Sequence, residues 1–189
     1  MTAGLFFGSF NPIHIGHMAI ANYMAEYTDM DQVWFVISPQ NPFKKRRTLL
    51  ADHHRLEMVR IAITDDQRFR DSDIEFRMPK PSYTIDTLAY LAEKYPGYQF
   101  ALIMGSDGLT GFDQWKNAPQ IIRDYTRYIY PRQGFPVRIQ DHPNAVLVEA
   151  PQIELSASMI RDGIKKRKDM RHFLPPGVWD YIDRMNLYR

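Results

Sequence analysis

Leu5-Phe6-Phe7-Gly8-Ser9-Phe10-Asn11-Pro12-Ile13-His14-Ile15-Gly16-His17 decides how the rest of the chain is read. The apolar run Leu5-Phe6-Phe7 stops at Gly8-Ser9-Phe10-Asn11-Pro12, and an apolar-periodic helix begins at His14-Ile15-Gly16-His17. This is the pattern of a buried strand, a tight loop and a helix N-terminus. Unpaired amide N–H groups and the positive end of the helix dipole make such a turn an anion site, and imidazoles at i and i+3 would face it together. The expected guest is a phosphate.

Outward from that turn, strands and helices alternate. Val33-Trp34-Phe35-Val36-Ile37 is a continuous apolar run of strand length, as expected of a strand covered on both faces. A polar loop from Pro39 to Arg47 follows, and Asp52 is positioned to cap a helix carrying Leu56, Val59 and Ile63. A third strand is expected within Phe69 to Phe76, a helix capped by Ser82 or Thr84 with Leu88 and Leu91 inward, and a fourth strand at Phe100 to Met104. Beyond Trp115 the pattern predicts a helix near Pro119 to Asp124, a fifth strand from Tyr125 to Tyr130 and a short last one from Ala145 to Val148. Ser156 should cap a helix from Ala157 to about Lys166, and a final helix after Pro175-Pro176-Gly177 should bury Val178, Trp179 and Ile182. The expected fold is α/β, Rossmann-like and doubly wound, a mainly parallel sheet with helices on both faces. Its ligands should sit at the carboxyl ends of the strands where strand order reverses, so the turns after the first, fourth and last strands would share one crevice.

The chain has 189 residues, 44% hydrophobic and 13% aromatic, enough for one full core. A single domain spanning 1–189 is expected, its C-terminal helices from about 156 completing the site. The absence of cysteine removes disulfides, thiolate nucleophiles and Cys-based metal sites. No apolar run approaches the ~20 residues of a membrane span and no basic leader precedes Leu5. The expectation is a cytoplasmic protein without membrane contact. Net charge is only +2, although Lys44-Lys45-Arg46-Arg47 and Lys165-Lys166-Arg167-Lys168 are basic; a solvated loop and a solvated helix end account for them, and no nucleic-acid partner is expected.

Common nucleotide motifs are missing: there is no Gly-Lys pair and hence no P-loop, and Gly105, Gly108 and Gly111 have the wrong spacing for a dinucleotide fingerprint. His14 and His17 suit a different task. When the acceptor is itself a phosphate, nucleotidyl transfer needs no protein nucleophile; the enzyme aligns two anions and stabilises charge on the leaving pyrophosphate. Helix capping or core packing would also explain the pair. A protein-held metal is disfavoured because no third ligand accompanies them. His53, His54, His142 and His172 have no supporting pattern and read as structural or surface residues.

The stretch Gly8 to His17 resembles the signature of the nucleotidyltransferase superfamily, whose His-x-Gly-His element is shared with class I aminoacyl-tRNA synthetases. A narrower resemblance, to the bacterial nicotinate-nucleotide adenylyltransferase family, covers nearly the whole chain through Pro42-Phe43-Lys44, Ser82-Tyr83-Thr84, Gly105-Ser106-Asp107, Trp115-Lys116-Asn117, Pro131-Arg132, Leu155 to Arg161, Leu174-Pro175 and Tyr181-Ile182. The family often has Asp where this chain has Asn11, and an amide can make the same turn.

That resemblance implies ATP as co-substrate, with Mg²⁺ bridging its phosphates, and nicotinate mononucleotide as acceptor, giving deamido-NAD and pyrophosphate. His14, His17, Lys44 and Arg161 would be the catalytic set. Gly8, Ser9 and Phe10, with His14, His17, Ser156, Ser158 and Arg161, would hold ATP. Lys44, Ser82, Tyr83, Thr84, Gly105, Asp107, Trp115 and Arg132 would hold the mononucleotide. Residue chemistry agrees: Arg161 in the first turn of a helix could make a bidentate phosphate contact, or equally a surface ion pair. Lys44 would bring a point charge on a proline-rigidified loop, or be merely solvated. Backbone donors at Ser82-Tyr83-Thr84 would reward a carboxylate over a carboxamide, and Trp115 could stack on the pyridine ring or be a buried core residue. Asp107 could accept from a ribose hydroxyl or cap a helix. A sister activity on the amide mononucleotide or on phosphopantetheine is the alternative, a nucleotide sensor without turnover the more distant one. Exposed aromatic surface would suit a homo-oligomer, though no stretch identifies the contact.

Overall fold

The computed structural model of the chain describes residues 1–39 and 49–189. Its frame is a sheet of six strands: β1 (Thr2–Gly8), β2 (Gln32–Ile37), β3 (Phe69–Ser72), β4 (Gln99–Gly105), β5 (Arg127–Tyr130) and β6 (Ala145–Leu147). Their spatial order is β3-β2-β1-β4-β5-β6, and every neighbouring pair is parallel. Parallel neighbours need crossovers, which the helices supply: α1 (Ile15–Tyr27), α2 (Asp52–Ile63), α3 (Thr84–Lys94) and α4 (Ala118–Asp124), followed by α5 (Ala157–Lys165) and α6 (Val178–Arg184).

The continuous apolar runs are explained by two cores. Successive strand residues point to opposite faces, so Val33, Phe35 and Ile37 join Phe6, Ile103 and Tyr128 under α1, α2, α5 and α6. Trp34 and Val36 join Leu5, Leu102 and Ile129 under α3 and α4. The chain winds outward from β1 to β3, returns to lay β4 beside β1, and winds outward again. A crevice therefore opens between the carboxyl ends of β1 and β4, where ligands bind in open sheets of this kind.

Local differences from the sequence reading have side-chain causes. β3 occupies only the front of the expected stretch, because Ile74–Arg77 turns into a 3-10 helix that buries Glu75. Asp52 is not the cap of α2 but its first residue, after Ala51, since its carboxylate is engaged by Arg55 at 2.6 Å. Neither Ser82 nor Thr84 caps α3: Tyr83 holds that position, and the Ser82 hydroxyl instead donates to Glu75 at 2.8 Å. β6 ends at Leu147, a residue short of expectation. Trp179 is only half-buried, with Val178 and Ile182 filling the core beside it. Ser156 does cap α5, accepting from the Met159 amide at 3.1 Å.

Two constraints shape the turn after β1. A Cβ on Gly8 would come within 2.7 Å of the Phe10 ring, so only glycine lets that ring fold back across the strand end. Phe10 itself adopts φ +44, and its ring is wedged edge-on against Phe6, Phe35 and His17. The second constraint is Arg55, which has no exposed surface. Its guanidinium donates to the carbonyls of Ser9 (2.6 Å), Ser38 (2.8 Å) and Leu50 (3.2 Å) and to Asp52. One side chain thus ties the ends of β1 and β2 to α2. Arg55→Met would keep the stem's packing but take the donor from three partly buried carbonyls and from Asp52, and should lower unfolding stability by roughly 3–5 kcal/mol; urea denaturation reads this directly, with Arg55→Lys recovering only part because an ammonium lacks the planar fork.

Candidate active site

His14 and His17 meet at the mouth of the crevice. His14 is the residue before α1, in extended conformation, and its ring stacks on that of His17 with centroids 3.7 Å apart and planes 24° off parallel. The His14 amide donates to His17 Nδ1 at 3.2 Å. That bond requires a lone pair on Nδ1, so the proton of the neutral His17 ring sits on Nε2 as a donor. Phe6 and Phe10 brace the ring from the core side. His14 is 5% exposed, and its Nδ1 is buried without a hydrogen-bond partner among the described residues. A buried polar atom left unpaired beside a crevice is what a ligand would satisfy. Gly16 keeps the pair in place, because a Cβ there would press on the His14 ring at 3.1 Å.

Arg132 belongs with the histidines. A cavity is lined by His14, Gly16, His17, Tyr130, Arg132, Ile153 and Leu155, among others. Arg132 follows β5; its amide donates to Ser106 at 2.8 Å and its Nη2 to the Tyr130 hydroxyl at 3.3 Å, while Nε lies 3.6 Å from Asp107. Gly105 gives this pair room: a Cβ there would lie 2.3 Å from Asp107 Oδ1 and 3.1 Å from Arg132 Nε. The resemblance implies Arg132 and Asp107 at the mononucleotide; in the structure Asp107 lies beside Arg132, and Arg132 adds positive field to the histidine cavity.

Arg161 approaches the same turn from α5. Its Nη1 donates to the Asn11 carbonyl at 2.8 Å and its Nη2 to the Ser158 hydroxyl at 3.0 Å, so the guanidinium is held at the edge of the signature turn and not in a surface ion pair. Ser156 serves the helix as its cap, and Ser9 offers its carbonyl to Arg55. Phe10 places its side chain wholly in the core, so only its backbone can meet a nucleotide. Lys44 lies outside the described residues. The other basic cluster, Lys165 to Lys168, is exposed at the end of α5 as expected of a solvated helix end.

The elements expected at the second substrate form a separate group on the same sheet edge. Lys116 pairs with Asp86 at 2.7 Å and sits 5.0 Å over the Tyr83 ring. This joins Trp115, half-buried against Phe112 at 4.9 Å, to the first turn of α3 at Tyr83 and Thr84. Ser82 is buried and acts from below, with Thr87, as donor to Glu75. Sequence reasoning missed Arg55 and Glu75. Arg55 had a visible signal, a charged residue inside the apolar stripe of α2 three positions after an acid; Glu75 had none.

A histidine pair, two arginines and a helix N-terminus at the reversal of a doubly wound sheet define a nucleotidyltransferase class of site. A family model described as cytidylyltransferase-like matches residues 5–163, which takes in the second half of β1, the histidine turn and Arg161, and the chain belongs to that family. Relatives place it more narrowly. A Cytophaga hutchinsonii protein is 51% identical over 96% of this chain and 95% of its own length, and one from Flavobacterium johnsoniae is 47% identical over all of both chains; each bears the name "Probable nicotinate-nucleotide adenylyltransferase", and this chain is a member of the nicotinate-nucleotide adenylyltransferase family. The fold also matches a Plasmodium falciparum nicotinic acid mononucleotide adenylyltransferase complexed with NaAD, at TM-score 0.82 over 99% of this chain and 97% of that one, with 23% identity. Among the described residues no helix is long and apolar enough to cross a membrane.

Burial, reinforced by the positive field of Arg132, pushes the His14 imidazole down from 6.5 to about 4. Between those values the unfolded chain binds the proton and the folded one does not, so stability is whole above about pH 6.5 and falls as pH drops toward 4. His14→Asn should remove up to about 3 kcal/mol of that acid sensitivity. Urea unfolding at pH 4.5 and 7.5 checks it: the wild type must lose more on acidification than the variant.

Proposed function

We propose that the crevice transfers the adenylyl group of ATP to the phosphate of nicotinate mononucleotide, yielding deamido-NAD and pyrophosphate. The observation that carries this is the stacked pair His14 and His17 sharing one cavity with Arg132, while Arg161 reaches the same turn from α5. A phosphate oxygen of the mononucleotide attacks the α-phosphorus in line. The bond from that phosphorus to the α–β bridging oxygen breaks, and the electron pair leaves on pyrophosphate. No protein nucleophile or general base is needed, since the attacking oxygen is already ionised. What the chain supplies is orientation and charge: the α1 N-terminus, the Nε2–H of His17, neutral His14, and the Arg132 and Arg161 guanidiniums stabilise the developing negative charge. The C-terminal helices from about residue 156 complete the ATP side, and the whole chain acts as one catalytic domain.

Asp107, the carboxylate beside these side chains, is paired with Arg132, and among the described residues no group of three or more His, Asp or Glu could hold a metal ion. A hard divalent cation takes oxygen ligands, so we read ATP as entering as its Mg²⁺ complex, the ion held on phosphate oxygens. When bound it would neutralise charge on the leaving pyrophosphate.

Selection of the acid mononucleotide falls to the Tyr83, Thr84 and Trp115 group. Trp115 offers a ring face to the pyridine, and the first turn of α3 offers backbone donors to the carboxylate. The same reading places the enzyme in the cytoplasm, with its ATP.

Two outcomes test the proposal. Pyrophosphate release from ATP and Mg²⁺ should be strongest with nicotinate mononucleotide, weak with nicotinamide mononucleotide and absent with phosphopantetheine; a different order discards the acceptor, and silence with all three leaves a nucleotide sensor. His17→Ala should lower kcat by about 10²–10³ while moving stability by less than about 1 kcal/mol, and near-normal turnover would remove the histidine mechanism.

A further inference from the structure

Asn11 is the polar residue of the signature turn most deeply enclosed, at 2% exposure. Its side-chain oxygen accepts from the Leu50 amide at 3.3 Å and from the Tyr188 hydroxyl at 2.9 Å. Its main-chain oxygen accepts Arg161 Nη1 at 2.8 Å. The tether from Tyr188 spans 177 positions of sequence, and reaching it takes unusual backbone: Asn186 and Tyr188 both adopt left-handed conformations, at φ +52 and +64. Such strain in residues that are not glycine persists only where the surroundings over-determine it. Here Leu187 between them is buried and its amide bonds the Ile182 carbonyl at 3.0 Å, closing the end of α6 so that the tyrosine turns back toward the turn after β1. Burial also raises the Tyr188 phenol well above its usual range, so it remains a donor at any working pH.

We infer that Tyr188 is a positioning residue for adenylyl transfer: through Asn11 it fixes the signature turn, and with it the carbonyl on which Arg161 is aimed. This rests on the proposed function for its kinetic consequence and stands on geometry for its structural one. The Tyr188 hydroxyl touches no reacting atom. Its effect passes through Asn11, whose two oxygens couple the turn to α6's trailing end and to α5. Losing the hydroxyl removes one of the bonds that hold the turn without emptying any packing space, so alignment of the phosphates suffers while their binding contacts remain.

Tyr188→Phe tests this in the full chain. We expect kcat to fall about tenfold with KM for ATP and for the mononucleotide within twofold, and thermal unfolding to shift little. Amide hydrogen exchange of residues 8–17 should accelerate about tenfold in the variant, a readout that needs no turnover. The kinetic loss should persist in an Asn11→Asp background, whose carboxylate still accepts the hydroxyl, and vanish in Asn11→Ala, where there is no oxygen to hold. Unchanged exchange at residues 8–17 overturns the tether even if the chain proves inactive with every acceptor. Equal kcat in wild type and Tyr188→Phe, or losses that simply add with Asn11→Ala, overturns its role in transfer while leaving the proposed reaction intact.

Discussion

Three backbone carbonyls converge on one buried guanidinium, and the site depends on it. Parallel strands end with carbonyls that point past the sheet edge, and at the crevice those of Ser9 and Ser38, just beyond β1 and β2, are partly buried. Buried carbonyls must be paired. Arg55 pairs both, adds Leu50, and is itself balanced by Asp52, so a charge without exposed surface is compensated on every side. The turn after β1 is thereby fixed to α2, and with it the start of α1 that carries His14 and His17.

A second layer of polar contacts ties the C-terminal segment from α5 onward to the same turn. α5 and α6 cover the sheet face that carries Phe6 and Phe35, which is ordinary core formation. Arg161 and Tyr188 then reach from them to Asn11. Core burial brings the helices to the site and the hydrogen bonds set their register, so Arg161 from α5 reaches the turn before α1 while Arg132, just after β5, lines the histidine cavity. His14 shows the consequence: enclosed by these elements and facing Arg132, it is neutral where a free imidazole would be partly charged, and it acts as a dipole and hydrogen-bonding group and not as a fixed cation.

The strands and the sheet's character were legible because they rest on local composition. Val33 to Ile37 is apolar at every position, and only a strand covered on both faces has use for that. Ser156 could be read as a cap for the same reason, since its hydroxyl needs only the amide three residues on. Failures occurred where a side chain had a buried charged partner. Ser82 and Asp52 have good capping chemistry, but each is claimed by a buried or clamping group, Glu75 and Arg55, and tertiary partners override local propensity. Arg132's place in the histidine cavity could not be read from its neighbours in sequence, because β5 delivers it there beside Tyr130 and Asp107.

By itself the sequence determined the class of fold, the strand, turn and helix that begin the chain and the pairing of His14 with His17, since each is set by residues within a few positions of one another. The tertiary structure decided which cations face that turn, that His14 is neutral, and that Arg55 and Tyr188 hold the turn from elements far along the chain. The physical reason is that periodicity and capping are properties of short segments, whereas desolvation and the pairing of buried polar groups depend on what the completed fold packs around them.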